Sequence, residues 1–161
     1  NLFNDFTALE NVTMATPELR RHGFDCLRDA AGLDAARERA QRTLAQVGLA
    51  DRAGVSAKSL SYGDRRALEI GVALAGSPSL LFLDEPTAGL GAEGIARVAD
   101  LVGALRGKVT MVIIEHDMRF LFGLAERISV VHWGQVIAQG TPAELGRNEW
   151  VRRSNLGGRA A

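Results

Sequence analysis

Leu80-Leu81-Phe82-Leu83-Asp84-Glu85-Pro86 (LLFLDEP) is the stretch on which the fold turns. Four apolar residues run unbroken into two acids and a proline. A short continuous apolar run of this kind predicts a strand buried on both faces, as in a parallel sheet. KVTMVIIEHD, residues 108–117, repeats the pattern: a second apolar strand that ends in polar residues. Between them AEGIARVADLVGALRG places Ile95, Val98, Leu101, Val102 and Leu105 on one helical face. Strand, helix, strand in this order predicts an α/β fold with a mostly parallel sheet. Ligands of such sheets bind at the carboxyl ends of the strands. Asp84-Glu85 and Glu115-His116 both fall at that edge.

The flanks fill in around these strands. DAARERAQRTLAQVG sets Ala36, Ala40, Leu44 and Val47 at helical spacing, with Asp34 expected as N-cap and Gly48 as the stop. MRFLFGLAER reads as a short helix, and RISVVHWGQVIAQG as two strands joined at Trp133-Gly134. Thr141, Pro142 and Glu144 form a capping box with proline in the first helical position. The 161 residues are 47% hydrophobic, enough for a sizeable core, and 19 basic residues balance 19 acidic ones. Zero net charge argues against nucleic acid as a partner. The lone Cys26 excludes a disulfide within the chain, and His22, His116 and His132 offer no zinc-ligand spacing. No apolar run reaches the ~20 residues of a membrane span.

Three groups carry chemistry. Asp84 at a strand end suits Mg²⁺, and Glu85 beside it suits a general base that orients water. His116 at the next strand end can donate to a phosphate oxygen. Ser59 to Gly76, SLSYGDRRALEIGVALAG, opens on Ser61, a capping residue, and Gly63, which permits close backbone approach. The helix that follows directs its positive end at that turn, which favours an anion. His22 and His132 lack any such context and read as structural or exposed.

In order, LSYGD, LLFLDEPTAGL and IIEHDM resemble the signature motif, the Walker B segment with its D-loop, and the switch histidine of ATP-binding-cassette (ABC) proteins. The similarity runs from Leu49 to Gly140 in the family's order. TALENV at Thr7 to Val12 and GQVIAQGTPAEL resemble the branched-chain amino-acid or urea importer branch. The resemblance implies a P-loop NTPase fold, partial here, with residues 1–76 as a helical subdomain. Residues 77–161 would be the remainder of the RecA-like α/β core with a C-terminal extension. It implies ATP and Mg²⁺ as cofactors. Ser61, Tyr62, Gly63 and Asp64 would contact ATP held by a second ATP-binding subunit, homologous or identical. Asp84 would hold Mg²⁺, Glu85 and His116 would be catalytic, and Gly89, Leu90 and Gly91 would form the D-loop at the dimer interface. Membrane permease subunits would be direct partners and a solute-binding protein an indirect one. The place implied is cytoplasmic, peripheral on the inner face of a bacterial plasma membrane.

The sequence departs from the family twice. The D-loop leucine is usually followed by Asp, Asn or Ser, and Leu90 is followed by Gly91. The 161 residues also contain no Gly-rich loop ending in Gly-Lys-Ser or Gly-Lys-Thr, and the Q-loop glutamine expected before TALENV is absent. Starting at Asn1, the chain is expected to be an N-terminally incomplete piece. Such a piece would hold ATP weakly and expose strand edges that favour self-association. Three functions follow: the ATPase of an importer for branched-chain amino acids, amides or urea-like solutes; the ATPase of another ABC system such as lipopolysaccharide export; or an inert interaction fragment.

Overall fold

The structure is a computed structural model that describes residues 2–22 and 30–151, without the side chains of 20–22, 30, 31 and 150. Cys26, the imidazole of His22 and the end of the C-terminal extension lie outside the described residues. The chain divides into two compact units, Asn1–Ile114 and Glu115–Ala161.

The first unit opens with α1 (Ala8–Ala15), held by a capping box in which Thr7 and Glu10 exchange hydrogen bonds. The Thr7 backbone N–H, and then its hydroxyl, hold the Glu10 carboxyl below its ordinary value. Asn11 is buried and ties this helix to the turn before it: Nδ2 donates to the carbonyls of Phe3, Phe6 and Thr7, and Oδ1 accepts from Phe3 N–H at 2.8 Å. Helix α2 (Pro17–His22) starts on its proline, and α3 (Ala30–Gln46) follows. Asp34 is therefore not the N-cap but an interior residue, because the helix already includes Ala30 and Ala31, which are good helix formers. Gly48 is the stop as expected: its φ of 71° turns the chain so that Leu49 N–H reaches Leu44 O at 2.7 Å. Helix α4 (Tyr62–Ala75) completes a helical layer whose core holds Val12, Ala36, Ala40, Leu44, Leu49, Ala67 and Leu68. Burial of each of the larger side chains stabilises the layer by roughly 1.5–3 kcal/mol.

Strands β1 (Leu80–Asp84) and β2 (Thr110–Ile114) pair in parallel, Leu80 opposite Thr110 and Asp84 opposite Ile114, with α5 (Ala92–Leu105) as the crossover. The expected helical face of α5 buries Val98, Leu101, Val102 and Leu105. The expectation that both strands are buried on both faces does not hold among the described residues. Leu81 and Leu83 are buried, whereas Phe82 and Ile114 on the opposite face are 65% and 58% exposed. Alternate residues of a strand point to opposite faces, so a layer on one face covers only every second side chain.

The second unit begins at the residues that follow β2. Asp117 caps α6 (Met118–Leu124) by accepting from Arg119 and Phe120 N–H. β3 (Ile128–His132) and β4 (Gln135–Gly140) form an antiparallel hairpin, irregular at Val130/Val131. Its turn is Trp133-Gly134, with φ of 49° and 74°, the left-handed pair that suits the twist of a two-residue hairpin. The capping box read from TPAEL is present: Thr141 and Glu144 exchange hydrogen bonds at the start of α7 (Pro142–Leu145). α8 (Glu149–Val151) follows.

Candidate functional site

Ser61 is the N-cap of α4. Its Oγ accepts from Asp64 N–H at 3.1 Å and donates to Asp64 Oδ2 at 2.8 Å. This local exchange starts the helix at Tyr62 and leaves Ser61 and Tyr62 exposed at its positive end. Asp64 does not stand free. Arg97, from α5, forms an ion pair with it and donates to Gly48 O at 2.9 Å. One guanidinium thus joins the end of α3, the start of α4 and the side of α5.

Asp84 closes β1 and Glu85 begins the turn that leaves it. Glu85 adopts φ of 43°, a left-handed conformation for a residue that is neither glycine nor asparagine. Such a conformation costs on the order of 1 kcal/mol and persists only where the surroundings impose it. Here Glu85 N–H donates to Ile114 O at 2.9 Å, and Glu85 O accepts from Ala88 N–H and from Arg66 Nη2, both at 3.1 Å. Pro86 and Thr87 behind it are buried, so the turn is anchored while both acids remain exposed. Gly89 takes φ of 73°, and a Cβ there would meet the Tyr62 ring at 3.2 Å. The left-handed backbone favours glycine here, and a side chain would also crowd the Tyr62 ring. Gly91 is the N-cap of α5 and supplies no side-chain cap. Replacing the usual cap by glycine costs a few tenths of a kcal/mol.

The first unit thus gathers nine of the ten expected site residues onto the start of α4 and the turn between β1 and α5: Ser61 to Asp64, Asp84, Glu85 and Gly89 to Gly91. His116 belongs to the second unit, where its side chain is 74% exposed. Glu115 beside it has a fully buried side chain whose Oε2 accepts from His116 N–H at 3.0 Å and Asp117 N–H at 3.4 Å. The carboxylate turns inward and braces the loop, and the imidazole is left at the surface.

Oxygen donors at Asp84 and Glu85 match the preference of Mg²⁺. Among the described residues no three His, Cys, Asp or Glu side chains converge into a metal cage. Arg66, Arg97, Asn11 and the inward role of Glu115 were not singled out in the sequence. Each acts across a sequence separation that periodicity does not report, or through a backbone atom that has no sequence signature.

The ABC transporter family matches residues 1–88. The branched-chain amino acid transport ATP-binding protein LivG of Salmonella typhimurium is 36% identical over 97% of the chain. The corresponding protein BraF of Pseudomonas aeruginosa is 33% identical over the same share. The chain spans 64% of the length of both relatives. Among solved structures, the dimeric ATP-binding cassette MJ0796 with ADP and Pi superposes with a TM-score of 0.70 at 28% identity, over 88% of this chain and 59% of that one. Among the described residues no helix is long and apolar enough to cross a membrane. The fold is that of ABC ATPase domains, and the chain belongs to the ABC transporter family.

Proposed function

We propose that these residues are the signature-bearing and catalytic part of the ATP-hydrolysing subunit of an importer for branched-chain amino acids or related amides. The observation that carries the reading is the high-coverage identity to LivG and BraF, whose names specify branched-chain amino acid transport. The exposed acids at the end of β1 and the capped, exposed start of α4 support it.

In this reading the start of α4, with Ser61, Tyr62, Gly63 and Asp64, faces ATP bound by a second ATP-binding subunit. The N–H groups of its first turn and its helix dipole favour the phosphate charge. Asp84 holds Mg²⁺, which when bound neutralises charge on the phosphates. Glu85 accepts a proton from, and orients, the water that attacks the γ-phosphate. His116 contacts the γ-phosphate from the loop that Glu115 braces. Gly89 to Gly91 lie at the subunit interface, where Gly91 offers backbone rather than a polar side chain. Residues up to 76 form a helical subdomain that meets membrane permease subunits, with a solute-binding protein beyond them. The working position is the inner face of the plasma membrane. The phosphate loop that such a subunit needs is not within these 161 residues, so the assay uses the complete gene product with its permease.

The test is uptake of labelled leucine, isoleucine and valine by cells in which the gene is disrupted. Uptake is expected to fall to background and to return with the intact gene. Normal uptake together with a lipopolysaccharide defect would move the protein to export. Normal uptake with no envelope phenotype would leave the amino-acid reading without support.

A further inference from the structure

We propose that Arg66 is a positioning residue for Glu85, one that locks the backbone carrying the catalytic carboxylate to the signature helix of the same subunit. The inference rests on the reading of Glu85 as the general base.

The guanidinium of Arg66 is shared between two partners. Nη1 pairs with Glu69 Oε2 at 2.9 Å, one turn along α4, and Nη2 donates to the carbonyl of Glu85 at 3.1 Å. Its Nε is buried without a hydrogen-bond partner. A surface arginine serving only an i,i+3 pair has no reason to bury an unsatisfied nitrogen. The side chain is drawn across to a backbone oxygen, and that oxygen belongs to a residue that needs holding. Glu85 is left-handed with φ of 43°, and it precedes Pro86. A following proline biases a residue toward extended backbone. Released from its contacts, Glu85 is expected to relax in that direction, turning the Glu85–Pro86 peptide and swinging the carboxylate away from its present direction. Arg66 opposes that relaxation directly, because the carbonyl it grips belongs to the peptide that would turn. The grip begins at α4, five residues after Ser61, so a displacement of the signature helix is transmitted to the base through one side chain.

A fork is needed to reach both partners from one side chain. A lysine ammonium can satisfy one of them but has no rigid second arm. The positioning role therefore predicts a graded series, which a purely structural ion pair does not.

The experiment measures steady-state ATP hydrolysis and peptide-level hydrogen exchange on the complete subunit assembled with its permease. Arg66→Gln is expected to lower kcat about 10- to 100-fold, the scale on which a misplaced catalytic group loses rate. KM for Mg-ATP is expected to stay within about twofold, because the phosphate contacts are not removed. Arg66→Lys should recover part of kcat, and Glu69→Gln, which frees the guanidinium without deleting it, should fall between Arg66→Gln and the wild type. Exchange in residues 84–88 should quicken about tenfold in Arg66→Gln while residues 70–75 of α4 stay protected. This second readout also covers a variant that assembles poorly. A folded Arg66→Gln with wild-type kcat, or faster exchange spread evenly along α4, would overturn the proposal. Absence of ATP hydrolysis by the wild-type complex would remove the reading of Glu85 and this inference with it. Wild-type turnover with an indifferent Arg66→Gln would remove this inference alone.

Discussion

Glu85→Gln is expected to reduce ATP turnover of the complete subunit by at least about 100-fold, the lower end of what a general base contributes. The substitution keeps the size of the side chain and replaces the charged, basic carboxylate by a neutral amide that cannot take the proton. Three backbone contacts hold Glu85 whatever its side chain: N–H to Ile114 O, carbonyl to Ala88 N–H and to Arg66. They survive in the variant, so its stability should stay within about 0.5 kcal/mol of the wild type, as for other exposed substitutions. The pairing of lost turnover with retained stability is the informative outcome, measured by phosphate release and by urea unfolding of the same preparation. Turnover unchanged by Glu85→Gln would mean that this acid is a strand cap and no base, and would favour the inert-fragment reading.

Asn11→Ala is expected to destabilise the protein by about 1–3 kcal/mol, although Asn11 lies outside the nine site residues gathered in the first unit. Its side chain is 4% exposed and spans the whole turn from Phe3 to Thr7. Removing it leaves Phe3 N–H without its partner, at a cost of about 1–3 kcal/mol, and takes one donor from the carbonyls of Phe3, Phe6 and Thr7, which keep the N–H groups of Phe6, Ala57 and Asn11. The turn it organises also carries Asn4 and Asp5. Asn4 accepts from Arg65 Nη2 through its side chain and from Ser56 Oγ and Lys58 N–H through its carbonyl, and Asp5 pairs with Lys58. The urea midpoint of Asn11→Ala against the wild type measures the loss. A midpoint shift worth less than about 0.5 kcal/mol would show that water replaces the amide without cost.

The elements were legible in the sequence wherever a residue acts on its own neighbours. Ser61 caps the helix it precedes, Thr141 and Glu144 form their box within one turn, and Trp133-Gly134 makes the hairpin turn, all through contacts a few residues apart. Asp34 misled because a capping residue can also sit inside a helix when good helix formers precede it. The apolar runs of β1 and β2 suggested burial on both faces. Apolarity records what a strand is suited to, however, while burial depends on which layers are present, and Phe82 and Ile114 remain exposed. At the site, the types of residue at the strand ends disclosed where the chemistry lies. The supports did not show, because Arg97 reaches Asp64 across 33 positions and Arg66 holds a carbonyl, which every residue possesses.

The proposed role of the α4 start is to complete a nucleotide site on another subunit, and light scattering of the complete subunit tests it most directly. In the Glu85→Gln background, where bound ATP should persist, Mg-ATP is expected to convert monomer to dimer. Ser61→Arg added to that background places a bulky cation at the exposed start of α4, at a cost to the helix cap of about 1 kcal/mol. The result expected is a monomer that still binds Mg-ATP but no longer dimerises. A Ser61→Arg protein that dimerises with Mg-ATP as readily as its parent would contradict the assignment of this helix to the partner's nucleotide.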